Sequence, residues 1–178
     1  MRAEIISVGT ELLLGQIIDT NAPYLSRVLS TLGIDVYYRI TVGDNTARLA
    51  EALKTALSRS DVVVTIGGLG PTQDDLTKET IAEVFGQKMV MDPESEKTIR
   101  AFFERRGIQI AQSNLKQALK PEFGIVVPNC VGTAPGTIVE QDGKIAIALP
   151  GPPSEFVPML ENSVVPYLSA KTAGLRGI

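Results

Sequence analysis

The chain has 178 residues, 44% hydrophobic and 21% charged, with 17 Lys and Arg against 20 Asp and Glu for a net charge of −3. That length suits one domain, which buries roughly 70% of its unfolded surface, and the mildly acidic balance argues against non-specific nucleic-acid binding, which needs dense basic residues to displace phosphate counterions. With no histidine and only Cys130 as a thiol, Ser-His-Asp and Cys-His catalysis, imidazole metal ligation and an intrachain disulfide are excluded.

In chain order, residues 3–8 read as a first strand and 10–19 as a loop or short turn. Residues 21–32 follow as a helix with Tyr24, Leu25, Val28, Leu29 and Leu32 on one side, stopped by Gly33. A second strand covers 34–42, and a helix over 45–58 turns Leu49, Leu53, Ala56 and Leu57 inward. Residues 62–66 form a short strand of the kind buried on both faces in a parallel sheet. A helix over 77–85 ends at Gly86. Pro93 opens another, whose stripe of Ile99, Phe102 and Phe103 runs to Gly107. A further helix is predicted over 112–119 and a short strand over 124–127. Residues 136–140 and 144–149 flank Asp142-Gly143, a hairpin signal. From Pro153 the chain is helical, with Phe156, Leu160, Val164 and Leu168 at spacings of four and Pro158 and Pro166 placed to break or kink it.

Strands alternating with helices imply right-handed βαβ units. The expected fold is α/β, a three-layer α/β/α sandwich whose mostly parallel sheet carries an antiparallel hairpin at one edge. One domain is expected over 1–170, with 171–178 as a tail or boundary segment. No apolar run approaches the ~20 residues of a membrane span. The N-terminus reads as a strand rather than a signal peptide, and a lone cysteine fits a reducing compartment, so a cytoplasmic location is expected.

Ligands of such sheets bind beyond the carboxyl ends of the strands. There the run VVVTIGGLGPTQDDLT, residues 62–77, passes from strand to glycine loop to paired carboxylates to helix. Gly67, Gly68 and Gly70, with Leu69 and Thr72 between and beside them, would let backbone amides approach an oxyanion next to a helix N-terminus. The spacing is neither the dinucleotide fingerprint nor a P-loop. The glycines alone fit a ligand-free turn equally well. Asp74 and Asp75 repel each other unless solvated, capped or bridged by a cation; one suits a helix cap and the other a metal or a ligand hydroxyl. Asp44 after the second strand suits either an N-cap or a site carboxylate, and Glu11 after the first could complete an oxygen-ligand set. Three more segments look like ligand loops: 129–136 with the Thr133 hydroxyl, 149–155 with Ser154 or Glu155, and the polar cluster Ser113, Asn114, Lys116 and Gln117. Cys130 reads as a small hydrophobe outside the site.

These segments, in this order, resemble the N-terminal domain of the CinA-type competence/damage-inducible proteins, within the MoaB/MogA-like molybdopterin-binding superfamily. The resemblance rests on Gly9-Thr10-Glu11 with Gly15, Asp19, Thr20 and Asn21; on Val42-Gly43-Asp44; on residues 67–72 with Asp74, Asp75 and Thr77; on Asn114, Lys116, Gln117 and Ala118; on Asn129 with residues 132–136; and on Leu149-Pro150-Gly151 with Pro153 and Glu155. It covers about residues 3–168, and GGLGPT-x-DD-x-T is specific to the CinA branch. Ile66, Cys130 and Phe156 stand where the family usually has threonine, proline and methionine. Many CinA proteins continue into a nicotinamide-mononucleotide deamidase domain, which is not expected in this chain.

The resemblance implies hydrolysis of the pyrophosphate in ADP-ribose to AMP and ribose 5-phosphate with a divalent metal (Mg, Mn or Co). It places Asp44 and Asp75 at the centre, Glu11 and Asp74 in support, and Glu11, Asp44 and Asp75 as metal ligands. Lys116 is then a cation for the leaving phosphate. The ligand-binding set is Thr10, Gly67, Gly68, Leu69, Gly70, Thr72, Asn114, Asn129, Gly132, Thr133, Pro150, Gly151 and Glu155. The expected partner is a small phosphorylated molecule, ADP-ribose or molybdopterin-like, and the expected assembly a homo-oligomer (dimer or trimer). The alternative is a molybdopterin- or nucleotide-binding module without turnover, since one fold hosts both.

Overall fold

A computed structural model describes residues 1–176, with side chains to residue 174. The main sheet has six strands in the order β2-β1-β3-β8-β7-β6. These are β1 (Arg2–Val8), β2 (Asp35–Val42), β3 (Val62–Ile66), β6 (Ile125–Val127), β7 (Gly136–Gln141) and β8 (Lys144–Leu149). The first four in that order are parallel; β7 runs antiparallel to β8, and β6 to β7. The hairpin therefore has one strand inside the parallel sheet, β8 beside β3, and only β7 and β6 lie beyond it. Helices α2 (Asn21–Thr31), α7 (Pro153–Met159) and α8 (Val165–Arg176) cover one face; α3 (Thr46–Arg59) and α4 (Thr77–Val84) cover the other.

The period-two pattern of β1 sends Ile5 into one core with Leu25, Leu29, Ile147 and Phe156, and Ile6 into the other with Leu53, Val63 and Ile81. The sandwich is α/β with three layers, as the alternation of elements predicts. Glu4 shares the second face and is fully buried, answered by Arg59 at the end of α3, whose Nη2 and Nε lie 2.6 and 3.0 Å from its oxygens.

Three local readings change. The 10–19 loop begins with a short helix, α1 (Thr10–Leu13). The helix predicted over 112–119 stops early: α6 (Gln112–Leu115) passes through a 3-10 turn at Lys116–Ala118 into β5 (Leu119–Pro121), which pairs with β4 (Met89–Met91) as a separate two-stranded sheet. Three-residue strands carry no readable periodicity, and Pro121 could not have continued a helix. The helix α5 (Pro93–Arg105) lies between β4 and α6, with Asp92 as its cap. The C-terminal helix is not broken by its prolines. A π-helical turn over Leu160–Val164 joins α7 to α8 immediately before Pro166, which cannot donate to the carbonyl four residues back, and α8 runs through the predicted boundary at residue 170.

Parallel register aligns the strand ends. Val8 pairs with Val42, Ser7 with Ile66, and Ile66 with Leu149. The loops that follow β1, β2, β3 and β8 therefore leave along one edge of the sheet.

Candidate functional site

The glycine loop leaves β3 in strand register, with the Gly67 amide donating to the Leu149 carbonyl at 2.9 Å. Gly67 and Gly68 have φ of 108° and 71°, in the left-handed region that favours glycine, and a Cβ on Gly67 would collide with the Val8 carbonyl. Thr77, the first residue of α4, fastens the turn: its hydroxyl donates to the Gly67 carbonyl at 2.8 Å and its amide to the Gly68 carbonyl at 3.2 Å. The amides of Gly68, Leu69 and Gly70 donate to no described residue.

That loop forms one wall of a cleft of about 530 Å³. Glu11, Asp44, Asp74 and Asp75 line it, arriving from the loops after β1, β2 and β3, and so do Thr72, Thr133, Pro150, Gly151 and Glu155. Asp44 does not cap α3; Asn45 does, accepting from the Arg48 amide at 3.0 Å. Asp44 instead accepts from the Thr10 amide at 3.1 Å, and its own amide donates to the Thr10 hydroxyl at 3.0 Å. Neither Asp74 nor Asp75 caps α4, whose N-cap is Leu76 with no side-chain bond. Asp75 folds back on Thr72, while Asp74 and Glu11 are exposed and their carboxylates accept no hydrogen bond from a described residue.

Lys116 is half-buried behind the loop. Its ammonium donates to the carbonyls of Thr72 and Asp75 at 2.8 and 2.5 Å and lies 4.0 Å from Glu79. The structure thus places this cation under the loop, where it braces the backbone and does not line the cleft. Asn114 lies inside α6, accepts from the amide of the capping residue Ala111 at 3.0 Å, and does not line the cleft. Asn129 organises its own loop. Its carbonyl oxygen accepts from the amides of Val131 and Gly132 at 3.0 and 2.8 Å, and its amide donates to Glu155 at 2.7 Å. Asn129 and Gly132 line an adjoining cavity, together with Cys130, which is exposed rather than packed.

Two residues outside the expected set are central. Gln117, buried, accepts from the Thr133 hydroxyl at 2.9 Å and donates to the Leu69 carbonyl at 3.4 Å, tying the glycine loop to the 129–136 loop. Its backbone carbonyl accepts from the ammonium of Lys78 at 2.7 Å. Lys78 is 4% exposed, and burial pushes its pKa down from 10.5 to about 8. Gln117 was legible as a member of the polar cluster around Asn114. Lys78 had no such signal, because a lysine in the first turn of an amphipathic helix normally faces solvent.

Among the described residues no three acidic or thiol groups gather into a ready metal cluster. The donors that line the cleft are nevertheless all hard oxygens. They fit a cation held by one or two carboxylates, with phosphate and water completing its shell, as Mg²⁺ is usually bound. No described helix is long and apolar enough to cross a membrane.

A family profile described as a probable molybdopterin binding domain matches residues 4–170. The chain is 60% identical over 175 residues to a CinA-like protein of Dictyoglomus turgidum, covering 98% of this chain and 43% of that protein. A CinA-like protein of Dictyoglomus thermophilum is 58% identical over 98% of this chain and 43% of its own length, so the chain spans less than half of these curated relatives. A solved structure of CinA from Thermoplasma acidophilum aligns at TM-score 0.83 and 36% identity, covering 90% of this chain and 94% of that one. The molybdopterin biosynthesis enzyme MoaB of Thermus thermophilus aligns at TM-score 0.61 and 19% identity over 97% and 96%, a likeness of fold.

Proposed function

Because the chain belongs to the probable molybdopterin binding domain family, in its CinA-like branch, we propose that the cleft binds a small phosphorylated, nucleotide-like molecule and hydrolyses the diphosphate of ADP-ribose to AMP and ribose 5-phosphate. One observation carries this reading: five carboxylates that follow four strand ends share a cleft with the three amides of the glycine loop that donate to no described residue. Amides of this kind bind phosphate oxygens and hold them as charge develops. Asp74, whose carboxylate accepts no hydrogen bond from a described residue, is the carboxylate available to take the proton of an attacking water as the bridging P–O bond breaks. Asp44 and Asp75 are held in place by Thr10 and Thr72. A divalent ion, Mg, Mn or Co, would neutralise diphosphate charge and acidify a bound water; one or two of Glu11, Asp44 and Asp75 would hold it, with phosphate and water completing its shell.

A second reading, binding of a molybdopterin-like phosphate without turnover, draws on the family description and on the internal commitments of Asp44 and Asp75. Incubation with ADP-ribose and each metal in turn, with AMP quantified, separates the two. Absence of AMP with every metal rejects the hydrolase, and equal AMP from Asp75→Ala removes Asp75 from the chemistry. Molybdopterin binding without turnover supports the module.

A further inference from the structure

The cleft is flanked by two cavities of different chemistry. One, of about 300 Å³, shares Val8, Glu11, Gly151 and Pro152 with the cleft and adds the polar groups of Asp19, Thr20 and Asn21. The other, of about 560 Å³, lies between α5 and the loop after β6, within the range of about 300–1,000 Å³ typical of small-molecule sites. Its walls are Ile99 and Phe102 of α5, Val126 of β6, and Pro128 and Pro135. The Phe102 ring is half-buried, with the Arg106 guanidinium 3.7 Å from its centroid and the Phe103 ring packed edge-on. Only the 129–135 loop separates this cavity from the cleft. Thr133 lines both, and Asn129 lines the cavity while its amide holds Glu155 of the cleft.

Resting on the reading of the cleft as a phosphate site, we propose that this apolar cavity seats the flat heteroaromatic ring, a nucleobase, of the ligand whose phosphates lie on the glycine loop. Aromatic and proline surfaces match the face of a base, and base–aromatic stacking tolerates any base. Two carboxylates, Asp92 and Glu94, line the cavity against one cation, Arg105, a balance that favours a neutral ring over a phosphate. The smaller cavity offers Glu11 and Thr20 to sugar hydroxyls, while Asp19 and Asn21 there are already bonded to Ser7, Ala22 and Gly151.

Cys130 is the only cysteine, is exposed, and lines the proposed ring site, so its reaction with an aromatic disulfide reagent reports occupancy in the unmodified protein. AMP is expected to slow that reaction at least about tenfold at saturation, and ribose 5-phosphate to leave it unchanged. Phe102→Ala, which removes the ring that would stack the base, is expected to weaken AMP binding about tenfold by calorimetry without affecting ribose 5-phosphate. If AMP binds while Cys130 reacts at its free rate, or if ribose 5-phosphate protects it equally, the ring site is overturned and the phosphate site stands. If AMP, ribose 5-phosphate and ADP-ribose all fail to bind, the phosphate reading itself fails and the ring site with it.

Discussion

Asp75 accepts two hydrogen bonds from Thr72, one from the amide at 2.9 Å and one from the hydroxyl at 2.6 Å. The turn between them carries Gln73 and Asp74, so closing it presents Asp74 to the cleft on a fixed base. Lys116 holds the same turn from behind through the carbonyls of both residues.

If this turn positions a hydrolytic site, Asp74→Asn and Asp75→Ala should each lower AMP formation by about 10²-fold or more. Thr72→Val keeps the amide bond and loses the hydroxyl bond, and should show a smaller loss. Initial rates with ADP-ribose and metal measure this, with thermal melting as the control for folding. Rates unchanged in both aspartate variants would remove the carboxylates from the chemistry.

The Glu4–Arg59 pair sits where β1 meets the end of α3, with the carboxylate fully buried and the Arg59 side chain 38% exposed and stacked on Tyr38 at 3.6 Å. Arg59→Met strands the buried Glu4 carboxylate and should destabilise the fold, less than a fully buried pair would because the guanidinium is partly solvated. Replacing both members with apolar residues should cost much less. Urea unfolding of the single and double variants tests the difference.

Lys78 makes stability depend on pH in a defined direction. The folded state releases its proton near pH 8 and the unfolded state near 10.5, so between those values the unfolded chain holds more protons and stability rises with pH. Below about pH 8 the buried charge costs on the order of 3 kcal/mol. Asp92 and Glu79 offset part of that burial and Lys116 adds to it. The stability gap between Lys78→Met and the parent should therefore shift toward the parent from pH 8 to 10.5, read by denaturant titration across that window. An unchanged gap would show that the ammonium is not buried in solution.

Thr137 in β7 is fully buried, and its hydroxyl is without a hydrogen-bond partner among the described residues. Valine has the same shape and no polar group to desolvate. Thr137→Val should raise stability by about 1 kcal/mol, seen as a higher melting temperature.

The strands and helices that pack both sheet faces were readable from spacing alone. Ile5 and Ile6 point to opposite cores because a strand alternates its side chains, and Leu49, Leu53, Ala56 and Leu57 share a helix face because their spacing follows the turn. The glycine loop was equally legible, since positive φ and a close approach to Val8 leave few alternatives to glycine. Less legible were the three-residue strands Met89–Met91 and Leu119–Pro121, too short for a period, and the partners of Asp44 and Asp75. An aspartate before a helix reads as a cap, yet neighbouring threonines took both carboxylates.

Local pattern by itself determined which segments pack, where the chain turns, and that carboxylates and glycine amides gather at the strand ends, because periodicity and backbone sterics act within a few residues. Only the tertiary structure decided which of those groups are committed and which are free. Lys116 became a brace under the loop, Gln117 a tie between two loops, and Lys78 a buried cation. Those roles depend on partners tens of residues away, and hydrogen bonding and desolvation are set by what the fold brings within a few ångströms.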